Sequence, residues 1–126
     1  MKNKGLVLGV MLIIGLFVLS PVSAAKVIDS GHKTIYSEKY DAYADYSWKT
    51  YKTSKYYITV YLTAKYETGL INKVKIIIKN VKPHKIKFTY YMTTDGKKST
   101  KVLKYKSYGH TALWWYNQMK YDLHNP

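Results

Sequence analysis

Between Tyr56 and Met92 the chain alternates apolar and polar residues three times over. Ile58, Val60, Leu62, Ala64 and Tyr66 are interleaved with Thr59, Tyr61, Thr63 and Lys65. Val74, Ile76 and Ile78 are set against Lys73, Lys75 and Lys79, and Ile86, Phe88, Tyr90 and Met92 against Lys85, Lys87, Thr89 and Tyr91. A period of two is that of a half-buried strand, because successive side chains of a strand point to opposite faces. The spacing therefore predicts three strands of one design, with aliphatic and aromatic groups on one side and Lys, Thr and Tyr on the other.

The joints between these runs specify the pairing. Glu67-Thr68-Gly69 is a turn sequence, and Val81-Lys82-Pro83-His84 breaks the ladder because Pro83 has no N–H to donate. Asp95-Gly96 is the strongest hairpin signal, since both central residues of a type I′ turn need positive φ. A two-residue loop there predicts Thr94 opposite Lys97, Phe88 opposite Leu103, Ile86 opposite Tyr105 and Lys87 opposite Lys104. If 73–81 pairs directly with 85–93, Lys79 also faces Lys87, and three lysines form a row across three strands.

Outside this central block the pattern is weaker. His32, Thr34 and Tyr36 alternate with Lys33 and Ile35, which suits an edge strand within 26–40. The segment 37–52 fits a strand from about Ala44, through Ala44, Tyr46 and Trp48, and also a helical stripe; Tyr, Trp and Thr favour the strand. In 111–123, Thr111, Leu113, Trp115 and Asn117 alternate with Ala112, Trp114, Tyr116 and Gln118, whereas Ala112, Tyr116, Met119 and Leu123 make a helical stripe. The aromatic residues favour a closing strand, with Trp115 and Leu113 inward and Trp114 and Tyr116 outward.

Residues 1–24 read as an export signal: Lys2 and Lys4, an apolar core from Leu6 to Leu19, and Val22-Ser23-Ala24 before a cleavage point near Ala24/Ala25. Ser20-Pro21 ends the apolar run short of the roughly 20 residues that span a bilayer, and a retained anchor is the other reading of the segment. The rest, 25–126, is one domain, with no repeat or linker to divide it. Two of the 21 lysines precede residue 25, so 19 lysines stand against 7 acids. There is no cysteine, so a small exported domain of this kind depends on sheet hydrogen bonds and on packing of its 15 tyrosines and 3 tryptophans.

The run Val81-Lys82-Pro83-His84-Lys85-Ile86-Lys87-Phe88-Thr89-Tyr90, within 73–108, resembles the corner of fibronectin type III and immunoglobulin-like domains, where a Pro-containing bend precedes an alternating strand with a Tyr. The resemblance implies an antiparallel β-sandwich, similar to small extracellular immunoglobulin-like and adhesin modules. It also implies a binding or structural role, and a bend at Pro83 that carries the chain between sheets, separating Lys79 from Lys87. The fold class expected is thus all-β, an antiparallel immunoglobulin-like β-sandwich behind a signal-peptide helix.

Chemistry-bearing motifs are sparse. His32, His84, His110 and His124 are scattered without the spacing of a helical metal site, though Asp122 and His124 would share one face of a closing strand. His84 and His110 with a lysine could be imagined in a small hydrolase. With no GxSxG motif, no cysteine and few carboxylate pairs, however, neither an enzyme nor a cofactor is expected. The Lys and Tyr surface carries the functional reading: Lys75, Lys79, Lys85, Lys87, Lys104 and Tyr91 as contacts for an anionic envelope polymer or lipid headgroups, with Trp114 and Tyr116 as an aromatic platform. The bland alternative is a solvated face whose lysines prevent edge-to-edge pairing. Sequence-specific nucleic-acid reading is not expected, because the bidentate Arg it favours is missing. A secreted protein binding or structuring the cell envelope is the leading expectation, followed by a bacteriocin-like membrane-active effector.

Overall fold

The computed structural model describes residues 25–126, and the export signal expected at 1–24 lies outside the described residues. Six strands follow one another, β1 (Lys26–Ser37), β2 (Ala42–Ser54), β3 (Tyr57–Tyr66), β4 (Ile71–Val81), β5 (Lys85–Thr94) and β6 (Lys97–Lys106), and a helix, α1 (Ala112–His124), ends the chain. Each strand pairs antiparallel with the next, giving one sheet in the order β1-β2-β3-β4-β5-β6.

The register in the centre is the one the alternation demands. Phe88 faces Leu103, Ile86 faces Tyr105, Lys87 faces Lys104 and Thr94 faces Lys97. The turn between β5 and β6 has φ of 50° at Asp95 and 82° at Gly96, as a type I′ hairpin requires. At Pro83 the chain turns back into the same sheet: Ile78 faces Phe88 and Lys79 faces Lys87. The bend therefore does not carry the chain between sheets, and the lysine row across β4, β5 and β6 is intact.

The antiparallel, mostly β architecture is the expected one, and the layer packed against the sheet is a helix. One face of the sheet collects Trp48 from β2, Ile58 and Val60 from β3, Ile76 and Ile78 from β4, and Ile86 and Phe88 from β5, all buried. Full burial of each aliphatic side chain contributes about 1.5–3 kcal/mol. These strands need a lid, and α1 supplies it through Ala112, Tyr116 and Leu123, with Trp115 and Met119 half-buried beside them.

The closing strand expected at 111–123 is thus corrected to a helix. Thr111 caps it, its side chain accepting a hydrogen bond from the backbone N–H of Trp114 at 3.1 Å. Asn80 accepts from the N–H of Ala112 at 2.9 Å, and the carbonyl of Lys55 accepts from that of Leu113 at 3.0 Å. A seventh strand would have lengthened the sheet and left its apolar face wet, whereas a helix across it removes that face from water.

A polar network fastens the helix to the sheet edge. The Thr50 hydroxyl donates to the Tyr116 hydroxyl at 2.9 Å, Tyr116 donates to Asp29 Oδ2 at 2.7 Å, and His124 Nε2 lies 2.5 Å from the same oxygen. The Tyr46 hydroxyl donates to the carbonyl of Leu123 at 2.9 Å. Burial by itself raises the Asp29 carboxyl, but hydrogen bonds to His124 and Tyr116 and the charges of His124 and Lys120 outweigh it, and its pKa falls below the ordinary value. Burial pushes the Tyr116 hydroxyl up and Asp29 adds to the effect against the donation from Thr50, so the phenol stays protonated and able to donate.

Two outcomes test this packing. Trp48 lies across Gly31 on β1, its facing residue, so closely that a Cβ there would clash with the indole ring, 2.8 Å from Cη2. Gly31→Ala is expected to lower unfolding free energy in denaturant by about 1–3 kcal/mol. Because the folded pKa of Asp29 is depressed, its stabilisation is present above the unfolded value near 4 and is lost as pH falls through the folded value. Asp29→Asn should therefore destabilise the protein at neutral pH, and chemical denaturation should show the gap to wild type closing on acidification below about pH 4.

Candidate functional site

With α1 on one face, no described element packs over the other face, called the open face below, and the register shows what stands on it. Lys49 of β2 faces Tyr61 of β3, Tyr61 faces Lys75 of β4, and Lys75 faces Tyr91 of β5. Lys and Tyr thus alternate across four neighbouring strands. The Lys75 ammonium lies 5.8 Å from the Tyr61 ring centre and 5.7 Å from that of Tyr91, and Lys49 lies 5.6 Å from that of Tyr51. Those distances are within the range of cation–π attraction, which holds the ammonium groups over the sheet.

A second row, Tyr57, Lys79, Lys87 and Lys104, runs parallel to the first nearer the Pro83 end. Lys85 and Lys106 face each other one step beyond it. The same parity places Lys65, Lys73 and Lys98 on the open face and a single carboxylate, Asp45, at its far corner. The remaining acids lie in turns (Glu38, Asp41, Glu67 and Asp95), on the covered face (Asp29) or on α1 (Asp122). Between the rows lie the uncharged, β-branched side chains of Thr59, Ile77 and Thr89. A shallow concavity of about 480 Å³ opens on it, lined by Ala25, Lys49, Tyr51, Thr53, Thr59 and Tyr61.

The fold therefore places Lys75, Lys79, Lys85, Lys87, Lys104 and Tyr91 on one surface. The aromatic platform expected from Trp114 and Tyr116 does not form, because on a helix these neighbours point about 200° apart. Tyr116 is 1 % exposed and hydrogen-bonded within the network described above, while Trp114, 37 % exposed, stacks on His110 with ring centres 3.7 Å apart. Leu113 and Trp115, expected inside, are half-buried against the core. Asp122 and His124 share no strand face, and His124 is committed to Asp29.

At the Pro83 end of the sheet three connections meet that sequence spacing could not bring together. Lys55 and Tyr56 come from the β2–β3 turn, Lys82 and His84 from the β4–β5 turn, and Ser107, Gly109, His110 and Thr111 from the link to α1. They surround a cleft of about 500 Å³ with Asn80 in its wall and no carboxylate in its lining. Backbone hydrogen bonds lock the loops: Asn80 N–H to the Tyr56 carbonyl at 3.0 Å and Ser107 N–H to the His84 carbonyl at 2.8 Å. The Asn80 side chain also donates to the carbonyl of His110 at 3.3 Å.

Among the described residues no group of three His, Cys, Asp or Glu is placed to hold a metal ion, and no helix is long and apolar enough to cross a membrane. Comparison with known proteins finds no family model, no curated protein and no solved structure that matches this chain.

Proposed function

We propose that the open face of the sheet is a docking surface for an anionic polymer, and that the chain is a secreted protein with a binding or structural role at the cell envelope. The observation that carries this is the position of Lys75, Lys79 and Lys87 on β4 and β5. Lysines that guard against edge pairing belong on edge strands. β4 and β5 are interior strands with both edges paired, so their lysines guard nothing. Aligned like charges on neighbouring strands weaken an empty sheet, and a polyanion lying across them turns that repulsion into attraction.

The tyrosines complete the surface. Tyr61 and Tyr91 are 43 % and 44 % exposed and alternate with the ammonium groups, so ring stacking and charge contact are available at adjacent points along one line.

The test separates face from net charge. Replacing Lys75, Lys79 and Lys87 by Ser should lower retention on purified anionic wall polymer at low salt roughly tenfold, at about 0.5 kcal/mol per exposed charge contact. Replacing Lys33, Lys97 and Lys101, which register with the covered face, removes the same charge and should leave most of the retention. Added salt should weaken wild-type binding steeply. Equal losses in the two triple variants would contradict the proposal.

A further inference from the structure

We propose that the cleft at the Pro83 end of the sheet is a binding site for a phosphate group. This goes beyond the polymer-docking reading, and the two surfaces share no residue. Two lysines, Lys55 and Lys82, and two histidines, His84 and His110, line one cleft of about 500 Å³ without a carboxylate to offset them. An anion seated among them is attracted by both ammonium groups.

The donor set selects the anion. A planar carboxylate is best matched by the fork of an Arg, which this chain lacks; Lys ammonium groups act as point charges, and imidazole N–H groups add single directed donors. Point donors arriving from three separate connections surround a compact tetrahedral group better than they clamp a flat one. Phosphate, as a monoester, a diester or the free ion, is the chemistry that fits.

The cleft is also preorganised. The His110 ring lies parallel to Trp114, 3.7 Å between centres with 5° between planes, so its direction is set before any ligand arrives. Asn80 ties the loop of His110 to the start of α1 through both ends of its side-chain amide. His84 in the cleft lining has φ of 56°, left-handed backbone that non-glycine residues seldom adopt and that tends to gather at functional positions. The helix N-terminus itself is not the site, since Thr111, Asn80 and the Lys55 carbonyl already accept from its first N–H groups.

The test is an NMR titration of the full chain with inorganic phosphate at constant ionic strength and pH, following the imidazole C–H signals. His32 and His124 lie outside the cleft and serve as internal references. Saturable shifts confined to His84 and His110, not reproduced by chloride or acetate, are the expected result. The double variant Lys82→Ala, His84→Asn keeps a residue that tolerates the left-handed backbone and should weaken phosphate binding at least about threefold, the scale of an exposed charge contact. Its His32 and His124 signals report whether it is folded.

A parallel arm replaces free phosphate with phosphatidylglycerol vesicles. Binding to vesicles alone, lost in the double variant, assigns the phosphate to a lipid headgroup; binding of the free ion assigns it to a soluble or polymer-borne group. Shifts of all four imidazoles together, or no saturable change with either probe, would overturn the phosphate site. Polymer retention through Lys75, Lys79 and Lys87 would then stand or fall separately.

Discussion

A sheet has two faces, and a single helix of 13 residues can cover only one of them. At 1.5 Å per residue α1 is about 20 Å long, close to the width of a sheet whose strands lie about 4.8 Å apart. Everything else follows from which face it takes. The aliphatic rows of β3, β4 and β5 leave no choice: Ile58, Val60, Ile78 and Ile86 are fully buried beneath or beside it. The lysine and tyrosine rows are consequently the ones turned to water, and their exposure is a result of core formation as much as of local composition.

The helix would be a loose lid without its polar fastening. Hydrophobic contact with the sheet is non-directional and would tolerate sliding, whereas the chain of Thr50, Tyr116, Asp29 and His124 fixes where α1 sits along β1 and β2. Buried groups of this kind cost free energy when left unmade, which gives the docked position an advantage over its neighbours. The same position sets the link 107–111 beside the β4–β5 turn, with Ser107 bonded to His84. Core packing, helix placement and the shape of the basic cleft are therefore linked through particular side chains.

Much of the sheet was legible in the residues because a period of two and a DG turn leave little freedom. A slip of one position would turn Ile76, Phe88 and Leu103 to water, so the register of β5 and β6 could be written down in advance. The identity of 111–123 was harder, since Trp114, Trp115 and Tyr116 favour strands and fit both periods. What decided it is not local: the apolar faces of four strands, β2 to β5, need a cover, and Thr111 is placed as a cap. The stripe Ala112, Tyr116, Met119 and Leu123 meets that need. The meeting of Lys55, Lys82, His84 and His110 was beyond reach, because it depends on three connections closing at one end of the sheet.

Under the proposed function the two faces have separate duties, one closed by α1 for stability and one offered to an anionic partner. Backbone amide shifts recorded while a soluble anionic polymer fragment is titrated into the protein test it most directly. Changes should alternate along β4 and β5, large at Lys75, Ile77, Lys79, Lys87, Thr89 and Tyr91 and small at Ile76, Ile78, Ile86 and Phe88, with α1 undisturbed. Changes concentrated on α1, or spread without alternation over both sets of residues, would contradict it.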